Sequence, residues 1–69
     1  VDLILERDGM LYPIEIKLTS RPARKHARGI ASLRQNYPAT AIAPGLVIAP
    51  VEQFQQISEH DYAVPWDLV

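Results

Sequence analysis

Apolar and charged residues alternate from Ile14 to Leu18, with Glu15 and Lys17 between aliphatic neighbours. A period of two predicts a strand, and places Ile14, Ile16 and Leu18 on the face turned to a core, with Glu15 and Lys17 on the other. About 6.6 Å would separate the Cα atoms of those two charged residues. Val1 to Arg7 is also rich in aliphatic residues, and Asp8-Gly9 joins the two segments. An Asp-Gly pair suits a type I′ hairpin turn, which needs positive φ at both positions. Across that turn, residues whose numbers sum to 17 are partners. Leu3 then faces Ile14, Leu5 faces Tyr12, and Ile4 faces Pro13 at a non-hydrogen-bonded position where a missing N–H costs nothing. Pairing on the other side of the second strand should begin only after Pro13.

The pattern then changes to a helical one. Thr19 and Ser20 are candidate caps, Pro22 suits a first turn, and Pro38 stops the helix, so it is expected over 22–36. Ala23, Ala27, Ile30, Leu33 and Tyr37 recur at helical spacing and should face the sheet, whereas Arg21, Arg24, Lys25 and Arg28 fall on the solvent arc. Gly29 costs about 1 kcal/mol relative to Ala in a helix, which suggests a close packing contact. His26 and Arg34 lie in or beside the apolar arc. The reading favoured here has His26 capping the edge of the core and Arg34 laying its stem along that edge to bond carbonyls or an acid. The alternative sends a basic group from this helix toward a functional site.

Gly45 to Ala49 is a short buried strand between prolines, and a strand, helix and strand in this order imply a right-handed crossover and a parallel pair. Val51 to Glu59 reads equally as a helical turn or an edge strand. Tyr62 to Trp66 reads as a last strand, with Pro65 marking an edge. The expected fold is therefore one α/β domain over 1–69 with a mixed sheet: a hairpin, a β-α-β crossover and a short terminal strand.

Composition narrows the class. With 69 residues and no cysteine, the chain has neither a disulfide framework nor a thiolate zinc site, and a cytoplasmic setting is expected. No apolar run is long enough for a membrane helix. The net charge of −1 is unevenly spread. Arg21, Arg24, Lys25, Arg28 and Arg34 lie in a stretch without acids, while every acid after Pro38 lacks a Lys or Arg neighbour in sequence. This basic segment is the candidate surface for phosphates or an acidic partner.

The same register sets Asp2 opposite Glu15, at a non-hydrogen-bonded position with Cβ atoms about 4.5–5.5 Å apart. Two carboxylates so placed repel unless a divalent cation, the Lys17 ammonium or a held proton offsets them. A plain surface ladder of ion pairs is the alternative. His60 beside Asp61 is no acid–base pair, because neighbours on an extended segment point to opposite faces. Tyr62 and Trp66 are expected in the core or an interface.

Asp2, then Glu15, a spacer and Lys17, on adjacent strands followed by a helix, resembles the PD-(D/E)xK nuclease superfamily. Four ordered segments, VDLILERDGMLYPIEIK, RPARKHARGIASLRQNYP, APGLVIAP and VPWDL, more closely resemble the nuclease-like C-terminal domain of bacterial and archaeal AAA-type ATPases, a domain of unknown function. The resemblance implies a partial restriction-endonuclease-like core. It implies Mg²⁺ or Mn²⁺ on Asp2, Glu15 and the Ile16 carbonyl, with Lys17 orienting a water. ATP would belong only to an ATPase part outside this chain, and that part and DNA would be the partners.

The family also has an N-terminal helix and a further strand that this sequence lacks. The chain is accordingly read as a fragment of a longer protein, one that by itself cleaves DNA inefficiently and self-associates along the exposed edge of its first strand. A competing reading keeps the fold but not the chemistry, as a non-catalytic DNA- or protein-binding module that docks through Arg21, Arg24, Lys25 and Arg28.

Overall fold

In the computed structural model, which describes residues 1–67, two strands open the chain: β1 (Leu3–Arg7) and β2 (Met10–Ile16). They form the expected hairpin. Leu3 pairs with Ile14, Ile4 with Pro13 and Leu5 with Tyr12, and the turn residues Asp8 and Gly9 have φ of 52° and 84°. The Glu6 carboxylate accepts the Gly9 amide at 2.8 Å, which ties the turn to its strand.

Pro13 divides the other side of β2. Before it, Met10 and Leu11 pair with the short strand β3 (Ala41–Ile42). After it, Ile14, Glu15 and Ile16 pair in parallel with Leu46, Val47 and Ile48 of β4 (Gly45–Ala49). A residue with no N–H cannot donate to the ladder there, and Ala43-Pro44 spans the resulting gap. Neither β3 nor its pairing was expected from sequence. The β4 bounds and its parallel sense were.

Two further strands complete the sheet. The chain returns through β5 (Gln55–Gln56) to β6 (Asp61–Pro65), which lies parallel to β4 and antiparallel to β5. The strand order is β1-β2-β4-β6-β5, with β3 beside β2. The segment that read equally as turn or strand thus contributes an edge strand. β6 is not itself an edge, but β5 pairs only with Tyr62 and Ala63, so Pro65 lies beyond that pairing. Leu68, the last residue of the VPWDL segment, lies outside the described residues.

The helix begins later than its sequence suggests. Residues Arg24–Ala27 form a 3₁₀ turn, and α1 proper spans Arg28–Asn36. Thr19 does not cap it; its hydroxyl accepts the Arg21 amide at 3.1 Å in a local turn. His26 does the capping, its Nδ1 accepting the Ala23 amide at 2.8 Å. Ala27 and Ile30 are buried and Leu33 is half-buried, as the periodicity predicts, whereas Ala23 and Tyr37 are exposed. Both sit where the chain has left helical geometry, so the 100° rule does not reach them.

One expectation is reversed. Ile16 is 52% exposed and Leu18 82%, while Glu15 between them is only 6% exposed. The alternation is as read, but the sheet has one helix, and that helix covers the Pro13 and Glu15 face. Ala27 and Ile30 form the core with Val47, and Ile57 packs against it. The opposite face, carrying Leu3, Leu5, Tyr12 and Ile16, is left open.

Candidate functional site

Beyond Leu3, the hairpin ladder continues through the side chain of Asp2. Its backbone amide donates to the Ile14 carbonyl at 3.1 Å, and its Oδ2 accepts the Ile16 amide at 2.7 Å. These bonds flank Glu15 on both sides. Glu15 projects to the helix-covered side, where Gly29 lies over it, whereas the Asp2 carboxylate is turned along the sheet to the Ile16 amide, and Asp2 and Lys17 lie just outside their strands. The pairing of residues itself ends at Leu3 and Ile14, so the three residues that sequence singled out lie at one end of the hairpin without the expected pairing of Asp2 with Glu15.

Their environments differ. Asp2 is exposed, Lys17 half-buried and Glu15 buried. Glu15 Oε1 lies 3.5 Å from the Val1 backbone nitrogen. Space above it is narrow, because a Cβ added at Gly29 would stand 3.2 Å from Glu15 Oε2 and 3.1 Å from the Val1 nitrogen. The close contact expected at Gly29 is thus with the site itself. Lys17 has its amide bonded to the Ile48 carbonyl at 2.9 Å, and among the described residues its ammonium pairs with neither Asp2 nor Glu15.

A divalent cation fits this donor set in a limited way. Among the described residues no three His, Cys, Asp or Glu side chains converge on one point. Two carboxylates and the Ile16 carbonyl are what the chain offers, and Mg²⁺ is often held by one or two carboxylates with water and phosphate completing the shell. No side-chain hydrogen bond reaches the Glu15 carboxylate from the described residues, so it has unused acceptor capacity.

The basic segment divides into two groups. Arg21, Arg24, Lys25 and Arg28 are exposed and form no ion pair among the described residues. Arg34 instead turns inward. Its guanidinium donates to Asp61 Oδ1 at 2.6 Å and Oδ2 at 3.2 Å, and to the His60 carbonyl at 3.4 Å. Asp61 also accepts the Gly45 amide at 3.0 Å and the Ser58 hydroxyl at 2.9 Å. The reading of Arg34 as bonding carbonyls and an acid holds. His60 is unconnected to its neighbour Asp61 and lies 3.8 Å from Glu59.

Between α1 and the Ser58–Asp61 segment lies a cavity of about 580 Å³. Ala27 and Ala31 line it from the helix, with Arg24, Lys25 and Arg28 around them. Sequence reading found the cations but not the wall they face, because nothing local connects residue 28 to residue 60. The available clue was Arg34, a cation on an apolar arc that needed an acid from elsewhere. On the opposite side of the sheet, Tyr62 is half-buried and stacks on Phe54 with ring centroids 5.1 Å apart, while Trp66 is exposed. Among the described residues no helix is long and apolar enough to cross a membrane.

No curated protein and no solved structure matches the chain. A family model does match, and it matches every residue from 1 to 69, so the chain belongs to the family described as Domain of unknown function DUF4143.

Proposed function

We propose that this domain is a nuclease-type module with a divalent-cation site on Asp2, Glu15 and the Ile16 carbonyl, serving as the C-terminal part of a cytoplasmic ATPase. What supports the reading is that Asp2, Glu15 and Lys17 lie close together at one end of the β1–β2 hairpin. The Asp2 bond to the Ile16 amide holds its carboxylate against β2, and Glu15 is fixed by burial under Gly29. Mg²⁺ or Mn²⁺ bound there would stabilise charge developing on a phosphodiester and acidify a water. Lys17, two residues along the strand, is the group to position that water and its proton.

Calorimetric titration with Mn²⁺ tests the site. Binding by the natural chain that disappears in Glu15→Gln is the expected result, with Lys17→Ala retaining the metal but abolishing DNA cleavage by the full protein. Equal Mn²⁺ binding by the natural chain and Glu15→Gln removes the reading.

A second reading is favoured by the exposed cations without ion-pair partners. The module would then dock on DNA or a protein without chemistry. Salt-dependent DNA binding, lost on reversing Arg24 and Arg28 to Glu and accompanied by no cleavage at any metal concentration, would establish it for DNA. Binding that survives the reversal would exclude this helix as the docking surface.

A further inference from the structure

We infer that the cavity between α1 and Ser58–Asp61 is a binding site for a nucleoside phosphate. Two features point to that chemistry. The first is an excess of cations at its rim. Arg34 is taken up by Asp61, which leaves Arg24, Lys25 and Arg28, none of them in an ion pair among the described residues, against the single remaining acid of the lining, Glu59. An anion entering here meets three donors on one helical surface, and a phosphate accepts charge-assisted bonds from several at once.

The second feature is the floor. Ala31, exposed, and the almost fully buried Ala27 one turn before it line the cavity with small apolar side chains. At about 580 Å³ the space is larger than a lone phosphate requires, and it falls in the range of pockets that enclose small organic ligands. A ligand matching both parts is anionic at one end and flat and apolar in its body. A nucleotide has that form, with its base over the alanines and Arg side chains, as bases stack on guanidinium planes elsewhere. Arg34 supports the site without contributing free charge. Its bidentate bond to Asp61 and its bond to the His60 carbonyl hold the far wall against the helix.

Nothing in this site is shared with Asp2, Glu15 or Lys17, and it can be tested without metal. In the full chain with EDTA present, adenosine monophosphate, inorganic phosphate and a labelled single DNA strand of about ten nucleotides are each titrated. Ala31→Leu fills the floor without changing charge, and Leu is a good helix former. Arg28→Gln removes one rim cation, and Arg7→Gln removes a charge from the hairpin far from the cavity. Adenosine monophosphate should bind about tenfold more tightly than inorganic phosphate, and Ala31→Leu and Arg28→Gln should each weaken nucleotide binding about tenfold while Arg7→Gln does not. Strand binding with that same dependence, without binding of the free nucleotide, also supports the site and identifies its ligand as one unit of a nucleic acid. Absence of binding by both, or binding indifferent to Ala31→Leu in a variant whose circular dichroism is unchanged, overturns the inference.

Discussion

Arg34 and Asp61, 27 residues apart, form a bidentate ion pair with N–O distances of 2.6 and 3.2 Å. Asp61 is buried, and its carboxylate also takes the Gly45 amide and the Ser58 hydroxyl. One side chain thereby connects α1, the start of β4, the start of β6 and the segment leading into it. A buried carboxylate is costly unless its oxygens are well supplied with donors, and here they are.

This network gives the stability a defined acid limb. Burial pushes the Asp61 carboxyl up, but hydrogen bonds from Arg34 and Ser58, the Arg34 charge and the Gly45 amide together outweigh it and hold the carboxyl below its ordinary value. A depressed folded-state value means that the contribution is fully present above the unfolded value of about 3.9 and is lost as pH falls through the folded one. Asp61→Asn should cost about 3 kcal/mol at neutral pH and flatten the decline in stability below about pH 4. Urea unfolding measured across that range checks both, and an unchanged acid limb in the variant would refute the assignment.

Much of the fold was legible because local chemistry fixed it. Asp8-Gly9 alone sets the hairpin register, from Arg7 and Met10 to Leu3 and Ile14. Pro44 and Pro50 bracket β4. Two things had no local signature. Alternation divides Ile14, Glu15 and Ile16 between two faces but does not say which face the helix will cover, and Glu15 is buried only because α1 lies over it. The pairing of Arg34 with Asp61 is a tertiary contact between a helix and a strand, and no spacing rule reports it. Asp2, Glu15 and Lys17 could be placed near one another for the opposite reason, since all three lie on one hairpin and its immediate extension.

Gly45 is required by the same network. A Cβ placed there would come within 2.6 Å of Asp61 Oδ1 and of Ile30 Cδ1. Both neighbours are buried and cannot move aside, so Gly45→Ala should destabilise the fold by about 1–3 kcal/mol. Gly45→Ala combined with Ile30→Val should recover little of that loss, because removing Cδ1 leaves the Cγ2 of residue 30 within 2.7 Å of the new methyl. Thermal unfolding of both variants tests this, and a neutral Gly45→Ala would show that the α1 to β4 approach is looser than described.

The core is small, which makes single truncations severe. Ile30 and Val47 are fully buried, whereas the rest of the covered face is largely Ala49, Ala63 and proline. Ile30→Ala should cost about 2–5 kcal/mol, comparable with the whole stability expected of so short a chain. Ile30→Val, at about 1 kcal/mol, should remain folded. Finding Ile30→Ala cooperative and native-like at 25 °C would mean that the core extends beyond the Ala27, Ile30 and Val47 cluster.

The open face should make the isolated 69-residue chain associate with itself. Leu3 and Leu5 of β1 continue across Tyr12 and Ile16 of β2, and all four are exposed. They join Leu46 and Ile48 on β4 through the parallel register. Apolar patches of this kind mark contact surfaces, and β1 is also an unpaired edge of the sheet. At Ile4, opposite Pro13 in a non-hydrogen-bonded pair, the N–H is directed away from β2 and is available to another strand. Ile4→Pro removes that donor at no cost to the hairpin ladder, and Leu5→Lys places a charge on the open face. Sedimentation velocity on the natural chain should show concentration-dependent association at micromolar levels, with each variant weakening it. If Leu5→Lys alone acts, the face rather than the edge carries the contact; a natural chain that stays monomeric throughout would refute the prediction for both.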